Sequence, residues 1–217
     1  MTDFLYPFID GEERDAGALL EDLARSAEAK AAASDDLRRT TLDGLAGQLD
    51  AAATEMSARF VAGGRLFAFG NGGSSTDAAA VASLFGHPPS GRPLPARSLA
   101  ADPAVLTALA NDVGYELVFS RQLASSAGAT DIALGLSTSG SSVNLLRAFE
   151  QAKRIGALTI GLAGYGGGSM AQAGTVDHCL VVSSDSVHRI QEAQSAVTFE
   201  LWRRVQHRLV EGTLNVH

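Results

Sequence analysis

Two short apolar runs in this chain end in glycine and hydroxyl residues, and that pattern suits the binding of an anion. Phe67–Phe69 leads into the glycine turn, Gly70–Ser75, and Leu134–Leu136 leads into the hydroxyl turn, Ser137–Ser142. Glycine lets a backbone curl around a small ligand, while serine and threonine hydroxyls add donors without bulk. A helical pattern follows each turn, so backbone N–H groups and a helix dipole favour negative charge there. Together the two turns predict one ligand that carries a phosphate.

The alternative for both turns is an ordinary connection between a strand and a helix. A single glycine-rich segment is most often no more than that. We favour the phosphate site because the second turn is unusually rich in hydroxyl groups. The side chains on which this prediction rests are Ser137, Thr138, Ser139 and Ser142.

Strands and helices that alternate along the chain must position these turns. The predicted strands are Arg65–Phe69, Asp131–Leu136, Leu158–Leu162 and His178–Val182, and Arg97–Leu99 is a candidate for a further short strand. Helical patterns lie between them, and Asp102-Pro103 starts one with an acidic N-cap and a proline at N1. Such alternation indicates βαβ units and a parallel sheet that is covered on both faces. The sequence therefore predicts an α/β sandwich.

Helical patterns also precede the first strand. One runs from Asp15 to about Ala33, and a second begins at an N-cap in Ser34-Asp35-Asp36 and ends at Gly63-Gly64. We expect residues 1–62 to form a helical extension, either a hairpin or an arm to another subunit, and residues 63–217 to form the sheet domain. The segment Met1–Gly11 is expected to be a flexible tail or an arm that packs on a neighbouring subunit.

Composition excludes several classes of protein. The chain has 217 residues and is 46% hydrophobic, which is enough for the core of one full domain. No apolar run is long enough to span a bilayer, and the N-terminal residues lack the features of a secretory signal. Cys179 is the only cysteine, so an intrachain disulfide and a cysteine-based zinc site are excluded. A net charge of −7 argues against direct nucleic-acid binding. We expect a soluble cytoplasmic protein without a membrane partner.

Four motifs, in order and spacing, resemble those of the sugar isomerase (SIS) family. They are Gly70-Asn71-Gly72-Gly73-Ser74, Ala110-Asn111-Asp112, Ser137-Thr138-Ser139-Gly140 and Arg189-Ile190-Gln191-Glu192. The similarity runs from about Asp35 to Leu209 and points to the sedoheptulose 7-phosphate (phosphoheptose) isomerase branch. It implies a three-layer sandwich around a five-stranded parallel flavodoxin-like sheet, in a homotetramer with active sites at subunit interfaces. It also implies a phosphorylated sugar, of the heptose class, bound by Asn71, Gly72, Ser74, Asp112, Ser137, Thr138, Ser139, Ser142 and Gln191.

The same resemblance places apolar residues where the isomerases carry catalytic groups. The family moves a carbonyl between C1 and C2 through an enediol, with a glutamate and a histidine as base and acid. Several members also bind zinc through that glutamate, a second histidine and a glutamine. Carried over, the zinc histidine falls on Ala80, the glutamate on Leu84 and the catalytic histidine on Phe199, while Gln191 is kept. These apolar side chains carry neither a proton nor a metal, so we expect no metal or other cofactor.

His188 is the best remaining titratable group for the pocket, because the isomerases carry an aspartate there that contacts the sugar. A histidine imidazole can both take and return a proton, so His188 is the candidate catalytic residue. The alternative is an ordinary histidine at the start of a helix. Asp77 either meets a sugar hydroxyl or, as we favour, stabilises the N-terminus of its helix. His178 and Cys179 are expected in the core.

Two functions from different classes are consistent with these residues. One is an isomerase of the sedoheptulose 7-phosphate type with a rearranged catalytic set. The other is a non-catalytic SIS module that holds a sugar phosphate or a protein partner. The missing glutamate and histidine favour the module, whereas the retained Gln191 and the complete hydroxyl turn allow the enzyme.

Overall fold

A five-stranded parallel sheet forms the centre of the computed structural model, which describes residues 16–214. The strands are β1 Leu66–Gly70, β2 Ala96–Ser98, β3 Ile132–Ser137, β4 Leu158–Gly164 and β5 His178–Val182. Their order is β2-β1-β3-β4-β5, and every neighbouring pair is parallel. This is the flavodoxin-like order, in which the direction of winding reverses between β1 and β3. The predicted sheet, including its short strand near Arg97, is confirmed.

Helices connect the strands and precede the first of them. Those of the described residues are α1 Ala16–Gly44, α2 Ala46–Val61, α3 Gly73–Gly86, α4 Pro103–Val113, α5 Val118–Ser126, α6 Val143–Ile155, α7 Gly168–Gln172 and α8 Val187–Leu214, with a 3₁₀ turn at Tyr115–Leu117. Within residues 16–214 no helix is long and apolar enough to cross a membrane.

Alternate residues of each strand face two different apolar layers. Leu66 and Ala68 pack with α2, α3 and α8, whereas Phe67 and Phe69 pack with α4, α5, α6 and α7. A strand that is buried on both faces is a nearly continuous run of apolar residues in the sequence. These strands could therefore be predicted from the sequence. The packing leaves no room for a side chain at Gly135, where an added Cβ would lie 2.6 Å from a ring carbon of Phe149. The predicted three-layer sandwich is confirmed.

Helix α1 corrects the prediction that a helix starts at Ser34. It runs without a break from Ala16 to Gly44, and α2 begins at Ala46. Serine and aspartate each disfavour a helix interior by only about 0.7 kcal/mol or less, and no glycine or proline lies between Gly17 and Gly44 to end the helix. The Ser34-Asp35-Asp36 segment is therefore helix interior and not an N-cap. The predicted arm Met1–Gly11 lies outside the described residues.

By the density of its internal contacts, the chain divides between Asp36 and Leu37. In the unit that begins at Leu37, helix α2 supplies Leu49, Met56 and Phe60 to the core against the sheet. In the preceding unit, the Leu20 side chain of α1 is 65% exposed. The domain boundary predicted after residue 62 stays a prediction.

Two predicted helix ends are confirmed by local geometry. Asp102 accepts hydrogen bonds from the backbone N–H groups of Ala104 at 2.9 Å and Val105 at 3.2 Å, and Pro103 follows as the first helical residue. After α2, Gly63 adopts a φ of +81°, and a Cβ at Gly64 would lie 2.1 Å from the Thr130 carbonyl oxygen. The chain can therefore leave α2 and enter β1 only with glycine at these positions.

Asp131 joins the start of β3 to the start of β1. Its side chain is 4% exposed and accepts hydrogen bonds from the Arg65 backbone N–H at 2.7 Å, the Arg65 guanidinium at 2.9 Å and the Gly128 N–H at 2.8 Å. Burial by itself raises the pKa of the Asp131 carboxyl. The hydrogen bonds from Arg65 and Gly128 outweigh that effect and lower the pKa below its ordinary value.

We expect Asp131→Asn to lower the free energy of unfolding by about 2 kcal/mol near neutral pH, because the amide pairs poorly with the guanidinium. The folded-state pKa lies below the unfolded one. The carboxylate's contribution is therefore present above about pH 4 and is lost as the pH falls through the folded-state pKa. Urea unfolding of both proteins across this range measures the difference. Asp43→Asn, at an exposed position, is the control. If the difference in unfolding free energy between the wild type and Asp131→Asn does not decrease at acid pH, the prediction is wrong.

Candidate functional site

The candidate site lies where the strand order reverses, outside the carboxyl ends of β1 and β3. Ligands of open α/β sheets generally bind in the crevice at such a switch point. The two strands are direct neighbours there, and Gly70 pairs with Leu136. The glycine turn and the hydroxyl turn, which lie far apart in the sequence, therefore lie side by side in the fold.

Three hydroxyl groups of the hydroxyl turn form one cluster at the start of α6. Ser137 is the buried last residue of β3, and its Oγ accepts a hydrogen bond from the Gly140 N–H at 3.1 Å. The same Oγ lies 3.3 Å from Ser139 Oγ and 3.4 Å from Ser142 Oγ. Ser142 is the N-cap residue of α6, yet among the described residues its side chain makes no capping hydrogen bond. We call Ser137, Ser139 and Ser142 the hydroxyl cluster; Thr138 lies half-buried in the same turn.

The segment that follows β4 holds the hydroxyl turn in place. Gly140 has a φ of +65°, and a Cβ there would lie 2.1 Å from the Gly167 carbonyl oxygen. The Met170 N–H donates to the Gly140 carbonyl at 2.8 Å, and the Ser169 N–H donates to Ser141 Oγ at 3.1 Å. The turn is thus shaped by close backbone contacts as well as by its own side chains.

We expect Gly140→Ala to lower the free energy of unfolding by about 2–4 kcal/mol, because it combines a left-handed backbone with a collision against a carbonyl group. Gly166, in the facing segment, has no atom within 4 Å of its Cβ position and no positive φ. Gly166→Ala should therefore change stability by less than about 0.5 kcal/mol. Urea unfolding measures both variants, and equal effects would show that the turn is not held as described.

An asparagine pair links the glycine turn to α6. Asn71 Nδ2 donates to Asn144 Oδ1, and Asn144 Nδ2 donates to Asn71 Oδ1, each at 2.9 Å. The Tyr115 hydroxyl also donates to Asn71 Oδ1 at 3.0 Å. Asn144 is 3% exposed, so this network fixes the two turns relative to each other. Sequence reasoning missed Asn144 and Tyr115, and the one available signal was a polar amide at an inward-facing position of α6.

The glycine turn also contacts helix α8. Gly72 is the N-cap of α3 with a φ of +54°, and Ser74 is buried. Gly73 lies against α8, since an added Cβ would lie 2.5 Å from Gln191 Nε2. The Gln191 amide donates to the Asp77 carboxylate at 3.0 Å. The site residue Gln191 is therefore oriented by a carboxylate from α3.

This contact corrects the favoured interpretation of Asp77. Helix α3 begins at Gly73, which places Asp77 beyond the first turn of the helix. Its carboxylate contacts Gln191 instead of the helix N-terminus. Gly72, with its positive φ, turns the chain directly into the helix.

Two predicted site residues lie outside these networks. Asp112 is exposed near the end of α4 and accepts a hydrogen bond from its neighbour Asn111 at 2.9 Å. His188 is exposed as the second residue of α8. Among residues 16–214 the hydrogen-bond networks of the two turns include neither side chain.

His178 and Cys179 lie on β5, away from both turns. His178 is not simply a core residue, because its Nε2 lies 3.0 Å from a carboxylate oxygen of Glu55 on α2. Cys179 is half-buried and packs against the core rather than lying within it, and burial raises the pKa of its thiol. The thiol therefore stays protonated and unreactive near neutral pH.

The three apolar residues that the resemblance aligns with the family's zinc and catalytic groups lie on α3 and α8. Ala80 is exposed and Leu84 is half-buried, while the Phe199 ring is 49% exposed and lies 5.2 Å from the Trp202 ring. In the part of the chain that the structure describes, no group of three or more histidine, cysteine, aspartate or glutamate side chains is placed to hold a metal ion.

The family model described as SIS domain matches residues 31–164, a region that contains both turns. The chain belongs to the SIS domain family. A phosphoheptose isomerase of Solidesulfovibrio magneticus is 38% identical to this SIS protein over 170 residues, which cover 77% of this chain and 82% of that protein. A phosphoheptose isomerase of Akkermansia muciniphila is 38% identical over 173 residues, which cover 79% and 90% of the two chains.

A solved structure shows the same similarity in three dimensions. The phosphoheptose isomerase of Neisseria gonorrhoeae matches this SIS protein with a TM-score of 0.78 and 30% sequence identity. The match covers 84% of this chain and 98% of that chain. The family resemblance drawn from the four motifs is confirmed.

Proposed function

We propose that this SIS protein binds a sugar phosphate, with the phosphate group at the hydroxyl cluster and the N-terminus of α6. The observation that carries the proposal is that the Ser139 and Ser142 hydroxyls each lie within 3.4 Å of the Ser137 hydroxyl at that helix start. Hydroxyl donors and a helix N-terminus together favour a phosphate. The similarity to proteins named phosphoheptose isomerase supports a heptose phosphate as the ligand.

The sugar itself is proposed to lie over the glycine turn. Its polar neighbours there would be Asn71, Gly72, Ser74 and Gln191, with Asp112 and His188 completing the pocket. Because the Asn71 and Gln191 amides are already oriented by neighbouring side chains, they would meet sugar hydroxyls with little loss of conformational entropy.

The residues at the family's zinc positions do not fit the metal. Zinc takes four ligands from thiolate, imidazole and carboxylate groups, and catalytic sites keep three from the protein. Here the Gln191 amide is engaged by Asp77, while Ala80 and Leu84 offer only carbon atoms, as does Phe199 at the position of the catalytic histidine. We therefore infer that zinc-assisted isomerisation is absent or severely weakened. If turnover survives, His188 is the proposed proton carrier.

The same three apolar residues favour the second candidate function, a non-catalytic module that holds a sugar phosphate or a protein partner. One experiment separates the candidates. Pure protein is assayed for turnover of sedoheptulose 7-phosphate, with and without zinc, beside a calorimetric titration with the same sugar. Binding without turnover supports the module, binding with turnover supports the enzyme, and no binding contradicts the proposed function.

We further propose a homo-oligomer, most simply a tetramer. Large apolar side chains are exposed on three helices: Leu20 is 65% exposed, Val61 75%, Phe199 49% and Val210 58%. Exposed apolar side chains that gather into one patch are typical of surfaces that pack on another subunit, and the family resemblance supplies the number of subunits. Light scattering at micromolar concentration should give about four times the chain mass, and a stable monomer would contradict the prediction.

A further inference from the structure

Gln194 is a fully buried amide whose hydrogen bonds are incomplete. It lies on α8 one turn beyond Gln191 and is 0% exposed. Its Nε2 donates to the Ser137 carbonyl at 3.5 Å, which is long for a hydrogen bond. Its Oε1 has no partner within residues 16–214. Turning the amide over would bring two oxygens together, so the chemistry of the contact fixes this orientation.

The surroundings of Gln194 do not call for a polar side chain. Most of the neighbouring inward positions of α8 are apolar, with Ile190, Val197 and Leu201 fully buried; Thr198 is the polar exception. A buried acceptor without a donor destabilises the fold, and an apolar side chain of the same length would avoid this. Departures from good packing chemistry concentrate at functional sites, where another gain offsets them. The contact that offsets the cost of the unpaired Gln194 oxygen is the hydrogen bond from Gln194 Nε2 to the Ser137 carbonyl.

We infer that Gln194 is a positioning residue for the hydroxyl turn. Ser137 contributes its Oγ to the hydroxyl cluster and its carbonyl to Gln194, so the same residue contacts the anion site on one side and α8 on the other. Holding that carbonyl fixes where β3 ends and where the cluster begins. The role of the turn in this inference rests on the proposed function. The hydrogen bond from Gln194 to the Ser137 carbonyl is part of the fold itself.

Two near-isosteric variants test the donor. Gln194→Met and Gln194→Leu both remove the donor together with the unpaired acceptor, and neither places a charge in the core. In the unliganded protein, both should speed backbone amide exchange at residues 138–142 by about tenfold. Both should weaken binding of inorganic phosphate and of sedoheptulose 7-phosphate by about tenfold, the equivalent of one lost hydrogen bond. Gln194→Met should nevertheless unfold at a temperature equal to or above that of the wild type.

Thr198→Val is the matched control. Thr198 is buried one turn further along α8, and its hydroxyl donates to the Gln194 backbone carbonyl rather than to the turn. It should leave exchange at residues 138–142 and phosphate affinity unchanged. Unchanged exchange in both Gln194 variants overturns the inference, as does faster exchange throughout α8 with a parallel loss of stability. If the wild type binds neither probe, the proposed function fails, and the exchange measurement still decides the role of Gln194.

Discussion

The double variant Ser137→Ala, Thr138→Val is expected to bind sedoheptulose 7-phosphate about 10²–10⁴-fold more weakly than the wild type. Each charge-assisted hydrogen bond from a hydroxyl to a phosphate contributes about 1.5–3 kcal/mol, and the variant removes two donors. The helix N-terminus remains, so weak binding of the phosphate group should persist. Isothermal calorimetry at fixed ionic strength measures both affinities.

The control for this experiment is Ser125→Ala. Ser125 is an exposed residue of α5 whose hydroxyl donates to the Gln122 carbonyl at 3.0 Å, away from both turns. It should bind the sugar phosphate with wild-type affinity. Thermal unfolding of the double variant checks that the turn still folds, since Ser137 Oγ also accepts from the Gly140 N–H. Equal affinities of the wild type and a folded double variant would refute the proposed phosphate site.

The sequence was sufficient to predict the sheet, because each of its long strands can be recognised as a short apolar run. A parallel strand covered on both faces is largely apolar, and every residue of β1, β3 and β4 is buried. The glycine and hydroxyl residues that end β1 and β3 mark where the chain turns into the next helix. Since parallel strands present their carboxyl ends at one edge, the two turns could be placed together without knowing any side-chain contact.

The contacts within the site were not predictable in this way. Asn71 and Asn144 are separated by 73 residues, and Asp77 and Gln191 by 114. Neither pair could be recognised from a local sequence pattern. A single polar side chain on an amphipathic helix gives the same hydrophobic pattern whether it faces solvent or a hydrogen-bond partner.

The second large effect is expected in catalysis. We predict that the wild type isomerises sedoheptulose 7-phosphate at least about 10⁴-fold more slowly than a phosphoheptose isomerase that carries both the glutamate and the histidine, because each acid or base contributes about 10²–10⁴-fold. Zinc should neither co-purify stoichiometrically nor stimulate turnover. Any residual activity should be lost in His188→Ala, and a coupled assay together with metal analysis of the pure protein measures both quantities.

A variant that restores metal-binding and acid-base side chains at the three apolar positions provides a positive control for this prediction. Ala80 and Leu84 lie at i and i+4 on one face of α3, the spacing at which two helical side chains can share a metal, and Phe199 is half-exposed on α8. The triple variant Ala80→His, Leu84→Glu, Phe199→His should therefore gain stoichiometric zinc, with Gln191 as the neighbouring polar group. Zinc bound near Gln191 in the wild type, or brisk isomerisation that survives His188→Ala, would show that other residues carry the chemistry. In that event the apolar side chains at positions 80, 84 and 199 would not be what limits this protein.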